Sequence, residues 1–447
     1  MYGGQTGKRL PQGEVMEILN TVIKVITTAV TVLTAYQIFY LILGFFSPEI
    51  KFSATDKRYR YAVIICARNE EKVIGKLIES IKSQTYDADK IKIFVCADSC
   101  TDNTAKICRE LGCVVYERPK PVAAKARKGY ALEWLFDMIR VDYDITAFDG
   151  FAFFDADNVL APTWFERMNE AFDTGAGLIT TYRNTKNFDT NFVSSAYGIH
   201  FYRSSTMYHR PRQRLGSCTH IAGTGYVLRS RLLTGGWHFT SMTEDAELTQ
   251  HVTARGESII FCEAAEFFDE QPHSFKVMFR QRLRWAKGRL VVFLKHSWLN
   301  LKGIFTARGA RKVWSNYDIF WYMFPGGLFA AALSLISAAA GVVTGIMAGT
   351  AVDTAVTSVT SWEFFKNILV AAGVAYLGYT AQAALVVLRE RRHIHCRTSK
   401  KILYIFTFFW FDLVNLPISV VSLFMRVRWK PIVHDKAFDY QQIIKKG

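Results

Sequence analysis

From residue 25 to residue 46 the chain carries no charged side chain. A helix over that run can cross a hydrocarbon core of about 30 Å, for which about 20 apolar residues suffice. Two further uncharged runs follow, at residues 319–352 and 367–388. Their length fits a bilayer better than a buried core. A fourth run, residues 402–425, is interrupted by Asp412, Asn415 and Pro417. A polar group in lipid needs an internal partner, so this segment is expected to kink or to leave by the face it entered. The first run is no secretory signal, being too long and lacking a small-residue cleavage site after it.

The basic loops orient these spans. The long segment between residues 46 and 319 and the loop at residues 389–401 are rich in Lys and Arg, whereas residues 353–363 contain neither. The first two are expected in the cytosol and the third outside. A complete fourth crossing would put the basic residues 426–430 outside, against the same rule, so either the last segment is re-entrant or the rule fails there. The formal net charge of +16 could signal nucleic acid or an anionic lipid surface. Its placement beside the apolar runs points to the lipid bilayer and away from nucleic acid. The eight cysteines lack paired C-x-x-C spacing and read as free thiols in a reducing compartment, and His393, His395 and Cys396 in their arginine-rich loop are likewise read as side chains that bind no metal. Three regions result: a tail and transmembrane helix (1–50), a cytosolic domain (51–300), and an interfacial segment with about three transmembrane helices and a basic tail (301–447).

The middle region alternates strands and helices. Apolar runs at 61–66, 91–97, 113–117 and 151–154 read as strands, and residues up to 83, 104–111 and 125–139 as helices. This pattern predicts an α/β fold, a mostly parallel sheet covered by helices on both faces. Ligands of such sheets bind beyond the carboxyl ends of the strands. Those ends carry Glu70, Asp98 and Asp155.

Asp155-Ala156-Asp157 offers two hard carboxylates suited to Mg²⁺ or Mn²⁺, although an Asp at a strand end also caps turns. Thr243-Glu244-Asp245 precedes an apparent helix at 246–255; it is either an acidic N-cap or the seat of a general base. Gln281-Arg282-Leu283-Arg284-Trp285 supplies an Arg that can clamp a diphosphate and a Trp that can stack on a sugar, or else an interfacial helix.

Taken in order, Ala97-Asp98, Asp155-Ala156-Asp157, Thr243-Glu244-Asp245 and Gln281-x-x-Arg284-Trp285 resemble the family 2 glycosyltransferases. Within them the chain is most similar to the processive group of cellulose, chitin and hyaluronan synthases. The resemblance implies a GT-A fold inserted between membrane helices, and inversion at the anomeric carbon. It implies that Asp245 is the base and Asp157 the metal ligand for Mg²⁺ or Mn²⁺. Glu70, Asp98, Lys128, Asp155 and Arg284 would hold the donor nucleotide, with Arg284 on its diphosphate. Gly223, Thr224, Gly225, Glu244, Gln281 and Trp285 would line the acceptor site. The implied activity is a multi-pass plasma-membrane synthase with its catalytic domain in the cytosol, polymerising UDP-glucose or UDP-N-acetylglucosamine into a β-linked polysaccharide on a growing glycan acceptor. A homo-oligomer or an export partner is compatible with it. The alternative is a non-processive transferase adding one sugar to a lipid-linked acceptor. A transporter that merely binds nucleotide sugars would not need three acidic motifs in this order.

Overall fold

A computed structural model describes residues 12–347, 362–427, 432, 434 and 436–445. Eight strands form one sheet: β1 (Tyr61–Ala67), β2 (Ile91–Asp98), β3 (Val114–Arg118), β4 (Gly150–Asp155), β5 (Val159–Leu160), β6 (Leu178–Thr185), β7 (Tyr226–Arg229) and β8 (Ile259–Asp269). Their spatial order is β3-β2-β1-β4-β7-β6-β8-β5. The four strands expected from sequence are β1 to β4, and they pair in parallel. Beyond β4 the sheet becomes mixed. β7 runs antiparallel to both β4 and β6, β6 is parallel to β8, and β5 is antiparallel to β8. The mostly parallel reading therefore describes one half of the sheet.

The apolar run of β1 is buried on both sides because each face has its own helices. Tyr61, Val63 and Ile65 pack with Ile74, Leu77, Ile78 and Ile81 of the Ile74–Lys82 helix and with Trp164, Phe165 and Met168 of the Trp164–Phe172 helix. Ala62 and Ile64 point the other way, onto Leu132, Leu135, Phe136 and Ile139 of the Lys128–Asp142 helix and Leu248 and Val252 of the Glu244–Ala254 helix. A side-chain period of two places consecutive residues on opposite faces, and both faces are dry. At the carboxyl ends of β1 and β2 the chain turns sharply. Asn69 and Ser99 both take left-handed backbone angles, with φ of 57° and 58°. The Asn69 side chain stabilises its turn, its Oδ1 accepting from Thr101 N at 2.8 Å.

Among the described residues three helices are long and apolar enough to cross a membrane, Glu17–Phe46, Phe365–Arg389 and Thr398–Phe424, and the bent pair Ala310–Met323 and Gly326–Ala340 would make a fourth if it is one span. Of the three, the first is broken at Ala35 and the last at Val414, close to the Asp412, Asn415 and Pro417 interruption. The second uncharged run is divided between the Ala310–Met323 and Gly326–Met347 helices, with Pro325 at the break. Residues 348–352 of that run, 353–361 of the loop expected outside and 428–430 of the basic tail lie outside the described residues.

The chain divides into two compact units. One is helical, built in its described part from residues 12–39, 325–347 and 362–379, and in it Ser337 Oγ donates to Asn20 Oδ1 at 3.4 Å. The other contains the sheet and is built from residues 40–324 and, in its described part, 380–427, 432, 434 and 436–445. Inside this second unit, arginines of the 192–215 segment meet carboxylates from far along the chain. Arg203 pairs with Asp412, Arg210 with Glu263 and Glu390, and Arg212 with Asp318 at 2.8 Å. Arg282 donates to the Phe411 carbonyl at 2.5 Å and to Asn415. Asp412 thus has the internal partner that an apolar helix requires.

Candidate active site

The carboxyl ends of β1 and β4 carry most of the site. Lys128, the first residue of its helix, donates to an Asp155 carboxylate oxygen and, at 2.8 Å, to the Gly223 carbonyl. Asp155 N donates to Thr224 Oγ1 at 2.9 Å, and Thr224 Oγ1 donates in turn to Asn158. Gly223 has φ of +82°, and a Cβ built on it would stand 3.6 Å from Asp245 Oδ2. One short path therefore links Asp155, Lys128, Gly223 and Asp245. Gly225 has a different role: with φ of +66°, its Cβ would fall 2.0 Å from the Phe267 ring, so the residue serves close packing behind the site.

Glu244 and Asp245 open the Glu244–Ala254 helix, although Thr243, its N-cap residue, makes no side-chain cap. Glu244 is buried and Asp245 beside it is half-buried. Burial first, then the neighbouring Asp245, pushes Glu244 up to about 7 against the pull of Lys128 and Arg284. Asp245 is likewise raised by burial, while Ala246 N, Lys128 and Arg284 work to keep it ionised. Its Oδ1 accepts from Ala246 N at 2.8 Å. For Lys128 burial favours the neutral amine, but Asp155 and Glu244 outweigh it and raise its pKa.

Asp157 is 4% exposed. Its Oδ2 accepts from Glu270 N at 2.8 Å, and Lys186 donates to its carbonyl. Burial opposes its charge, yet His434, Lys186 and the Glu270 N–H prevail and hold it below the usual carboxylate range. Glu70 is raised by burial, with Asp157 and Asp155 adding to the rise; Glu270 is raised by burial, with Asp157 adding. His434 Nδ1 lies 3.2 Å from Glu70, and although burial favours the neutral ring, Asp157 and Glu70 push His434 up to about 10. Asp157 and Asp155 thus add to the rise of Glu70, and Asp157 to that of Glu270, with Lys186 and His434 set among them. Carboxylate oxygens are the donor chemistry that suits a divalent cation such as Mg²⁺ or Mn²⁺.

The remaining sequence-predicted residues separate into other settings. Asp98 is buried between two guanidinium groups, Arg68 and Arg118, the latter at 3.2 Å. Arg284 reaches Glu244 and Asp245 electrostatically. Gln281 Oε1 is buried with no hydrogen-bond partner among the described residues. Half-buried Trp285 stands edge-on to Tyr197, with ring centroids 5.9 Å apart. Gly288, on the same helix (Phe275–Thr306), lets it lie against Thr243, since a Cβ there would be 2.6 Å from Thr243 Cγ2.

Sequence reasoning missed Lys186, Arg183, Asp269, Glu270 and His434. Arg183 pairs with Asp269 and donates to the Ala222 carbonyl at 2.9 Å, which positions the loop before Gly223. Asp269-Glu270 ends β8, so the rule that found Asp155 at a strand end applies to it as well. For His434, far down the tail, no local pattern exists.

Comparison with known proteins follows the same lines. Residues 58–288 match the family described as "Glycosyltransferase like family 2". "Probable glycosyltransferase YdaM" of Bacillus subtilis (strain 168) is 26% identical over 325 residues, which are 69% of this chain and 74% of that one. "Beta-monoglucosyldiacylglycerol synthase" of Nostoc sp. (strain PCC 7120) is 24% identical over 267 residues, 59% of this chain. The chain spans only 54% of that relative's length. The solved mannosyltransferase PcManGT from Pyrobaculum calidifontis, in complex with GDP-Man and Mn²⁺, superposes with a TM-score of 0.56 at 15% identity, covering 89% of this chain and 99% of that one. At that identity the likeness concerns the fold, which is GT-A-like with a mixed sheet.

Proposed function

We propose that this chain, which belongs to the glycosyltransferase-like family 2, transfers a hexose from a nucleoside diphosphate sugar to a hydroxyl of an acceptor presented at a membrane. The observation that carries this reading is the short path from the Asp155–Lys128 pair through Gly223 to Asp245. It brings a cation and a candidate base to the end of the sheet where ligands of α/β folds bind.

In this mechanism ionised Asp245 takes the proton from the attacking hydroxyl as its oxygen bonds to the anomeric carbon. The bond from that carbon to the diphosphate breaks on the opposite face, which inverts the configuration. Lys128 and Arg284 stabilise the negative charge that develops on the departing diphosphate. Asp98, held by Arg68 and Arg118, fixes the wall toward which the nucleoside is expected to lie. The open acceptor atom Gln281 Oε1 gains a partner when a sugar hydroxyl arrives. The carboxylate donors fit Mg²⁺ or Mn²⁺, which Asp157 with Asp155, Glu70 and Glu270 would hold. When bound, such an ion supplies Lewis-acid neutralisation of the diphosphate. The solved mannosyltransferase of similar fold, with Mn²⁺ in its complex, supports that choice.

Single addition to a lipid acceptor is the preferred reading of the product. Relatives named β-monoglucosyldiacylglycerol synthase and three helices able to cross a membrane both support it. The Gln281-x-x-Arg284-Trp285 spacing favours the second reading, repeated addition to a β-linked polymer. The protein in nanodiscs, given UDP-glucose, UDP-N-acetylglucosamine or GDP-mannose with diacylglycerol, decides the matter. EDTA-sensitive nucleotide release with one glycolipid product is expected. A ladder or high polymer would establish the second reading. Donor binding without transfer to any acceptor would overturn both.

A further inference from the structure

A second set of metal-ligating side chains lies away from the acidic site. Glu247 and His251 occupy positions i and i+4 of the Glu244–Ala254 helix, so their side chains share one face. His296 faces them from the Phe275–Thr306 helix. The three offer one ligand atom each, all within 4.8 Å of one another. His251 Nε2 is 3.1 Å from His296 Nδ1, and His296 Nε2 is 3.6 Å from Glu247 Oε1. Neighbouring ligands around a tetrahedral ion with bonds of about 2.0–2.1 Å stand roughly 3.4 Å apart. The two short distances fall on different nitrogens of His296; with one nitrogen from each ring, the three ligand atoms stand within 4.8 Å, and side-chain rotation would have to draw them to that spacing.

The surroundings hold the ligands in place. Glu247 Oε2 accepts from Ser241 N at 3.0 Å, which orients the carboxylate and leaves Oε1 toward His296. The Phe239 ring stands edge-on to His251, its centroid 5.5 Å away. Next to this group, Gln250 Nε2 donates to Ser297 Oγ at 2.7 Å and Asn300 Nδ2 to the Gln250 carbonyl at 3.3 Å. The two helices are thus already fixed in register at the level of the histidines. Two imidazoles and one carboxylate make a donor set for zinc and its neighbours in the transition series, unlike the all-oxygen acidic site.

We propose that Glu247, His251 and His296 form a second metal site, of the Zn²⁺ class, that clasps the helix bearing Asp245 to the helix bearing Arg284. The ion would sit at the far side of the two helices from the reacting atoms, where it fixes the spacing of base and diphosphate clamp without touching substrate.

Equilibrium dialysis of the full chain in nanodiscs, free of any histidine tag and first stripped with chelator, tests this with Zn²⁺ alone. The Asp157→Asn background removes uptake by the acidic site. One Zn²⁺ per chain is expected there, and a rise in Tm of several degrees on zinc addition. Adding His251→Gln or His296→Gln should abolish both. Glu247→Gln, which preserves the acceptor for Ser241 N, should weaken zinc binding at least tenfold in a chain that still folds. Zinc uptake unchanged by the histidine substitutions, or less than a tenth of an equivalent in the Asp157→Asn chain, would overturn the proposal.

Discussion

Gly288→Ala tests whether the spacing between the two site helices matters to the reaction. The added Cβ would lie 2.6 Å from Thr243 Cγ2, 2.9 Å from Thr243 Oγ1 and 3.2 Å from Thr243 Cβ. Carbon atoms at best contact stand about 3.5–4.0 Å apart, so the helices must part by roughly 1 Å or Thr243 must turn. Overpacking of this kind costs about 1–3 kcal/mol. Thr243 directly precedes Glu244 and Asp245, and Gly288 follows Arg284 by one helical turn, so the displacement falls on base and clamp. If the whole cost appears in the barrier, kcat drops by about 5- to 150-fold, at about 1.36 kcal/mol per tenfold. Thr243→Ala in the same chain removes the two nearest atoms and leaves only the 3.2 Å contact. It sacrifices little else, because Thr243 Oγ1 has no hydrogen-bond partner among the described residues and does not cap its helix. Nucleotide release at saturating donor in nanodiscs reads kcat, with Tm and donor affinity as controls. The double variant should recover most of the loss. Unchanged kcat in Gly288→Ala, or a loss that Thr243→Ala does not relieve, would refute the argument.

Other consequences are equally accessible. Glu244 is pushed up to about 7 and Asp245 is raised beside it, so the basic form of the pair gains ground as pH rises; kcat/KM should climb through about pH 7 and then level off. Arg284→Gln removes a charge that favours the ionised pair and should move that rise to higher pH; an unmoved profile would disconnect Arg284 from the base. By linkage the same raised carboxylates bind protons more tightly in the folded state, so their contribution to stability is greatest below the ordinary carboxylate range and declines as pH rises through about 7, seen as a falling Tm. Asp157→Ala should abolish metal dependence together with donor affinity, measured by titration of donor with and without Mn²⁺; preserved Mn²⁺-dependent turnover counts against Asp157 as a ligand. Arg210→Met leaves Glu263 and Glu390 buried without their cation and should cost about 3–5 kcal/mol, read as a large fall in Tm or as failure to recover folded protein.

The strands that sequence made legible are those whose apolar runs end on an acid. β1, β2 and β4 show this because both their faces are dry and their tips carry the site. β6 escaped because it is built from Thr180, Thr181, Asn184 and Thr185, all buried, which hydropathy reads as surface. Their partners are remote: Asn184 Nδ2 donates to the His393 carbonyl at 2.8 Å, 209 residues along the chain. β8 hides in the same way, since its Glu263 and Glu266 are neutralised by Arg210 and His393. Within the site, Asp155 stood out by its place at a strand end, whereas Lys128 and the role of Asp245 were only what the family resemblance implies. The split between Gly223, which faces Asp245, and Gly225, which faces Phe267, needed the fold. His434 reaches Glu70 only through the return of the tail, and no window of sequence contains that information.

The arginines at 203, 210 and 212 carry a consequence for the order of events during synthesis. Each emerges from the ribosome well before the carboxylate that neutralises it: Asp318 for Arg212, Glu390 for Arg210 and Asp412 for Arg203. Until residue 412 has been made and has found its place, the nascent sheet domain holds guanidinium groups that cannot yet be buried at tolerable cost. Burial of these arginines thus draws on carboxylates as far along the chain as residue 412, and a chain cut before that residue would keep the motifs at 98, 155–157, 243–245 and 281–285 while lacking the Asp412 counter-charge of Arg203.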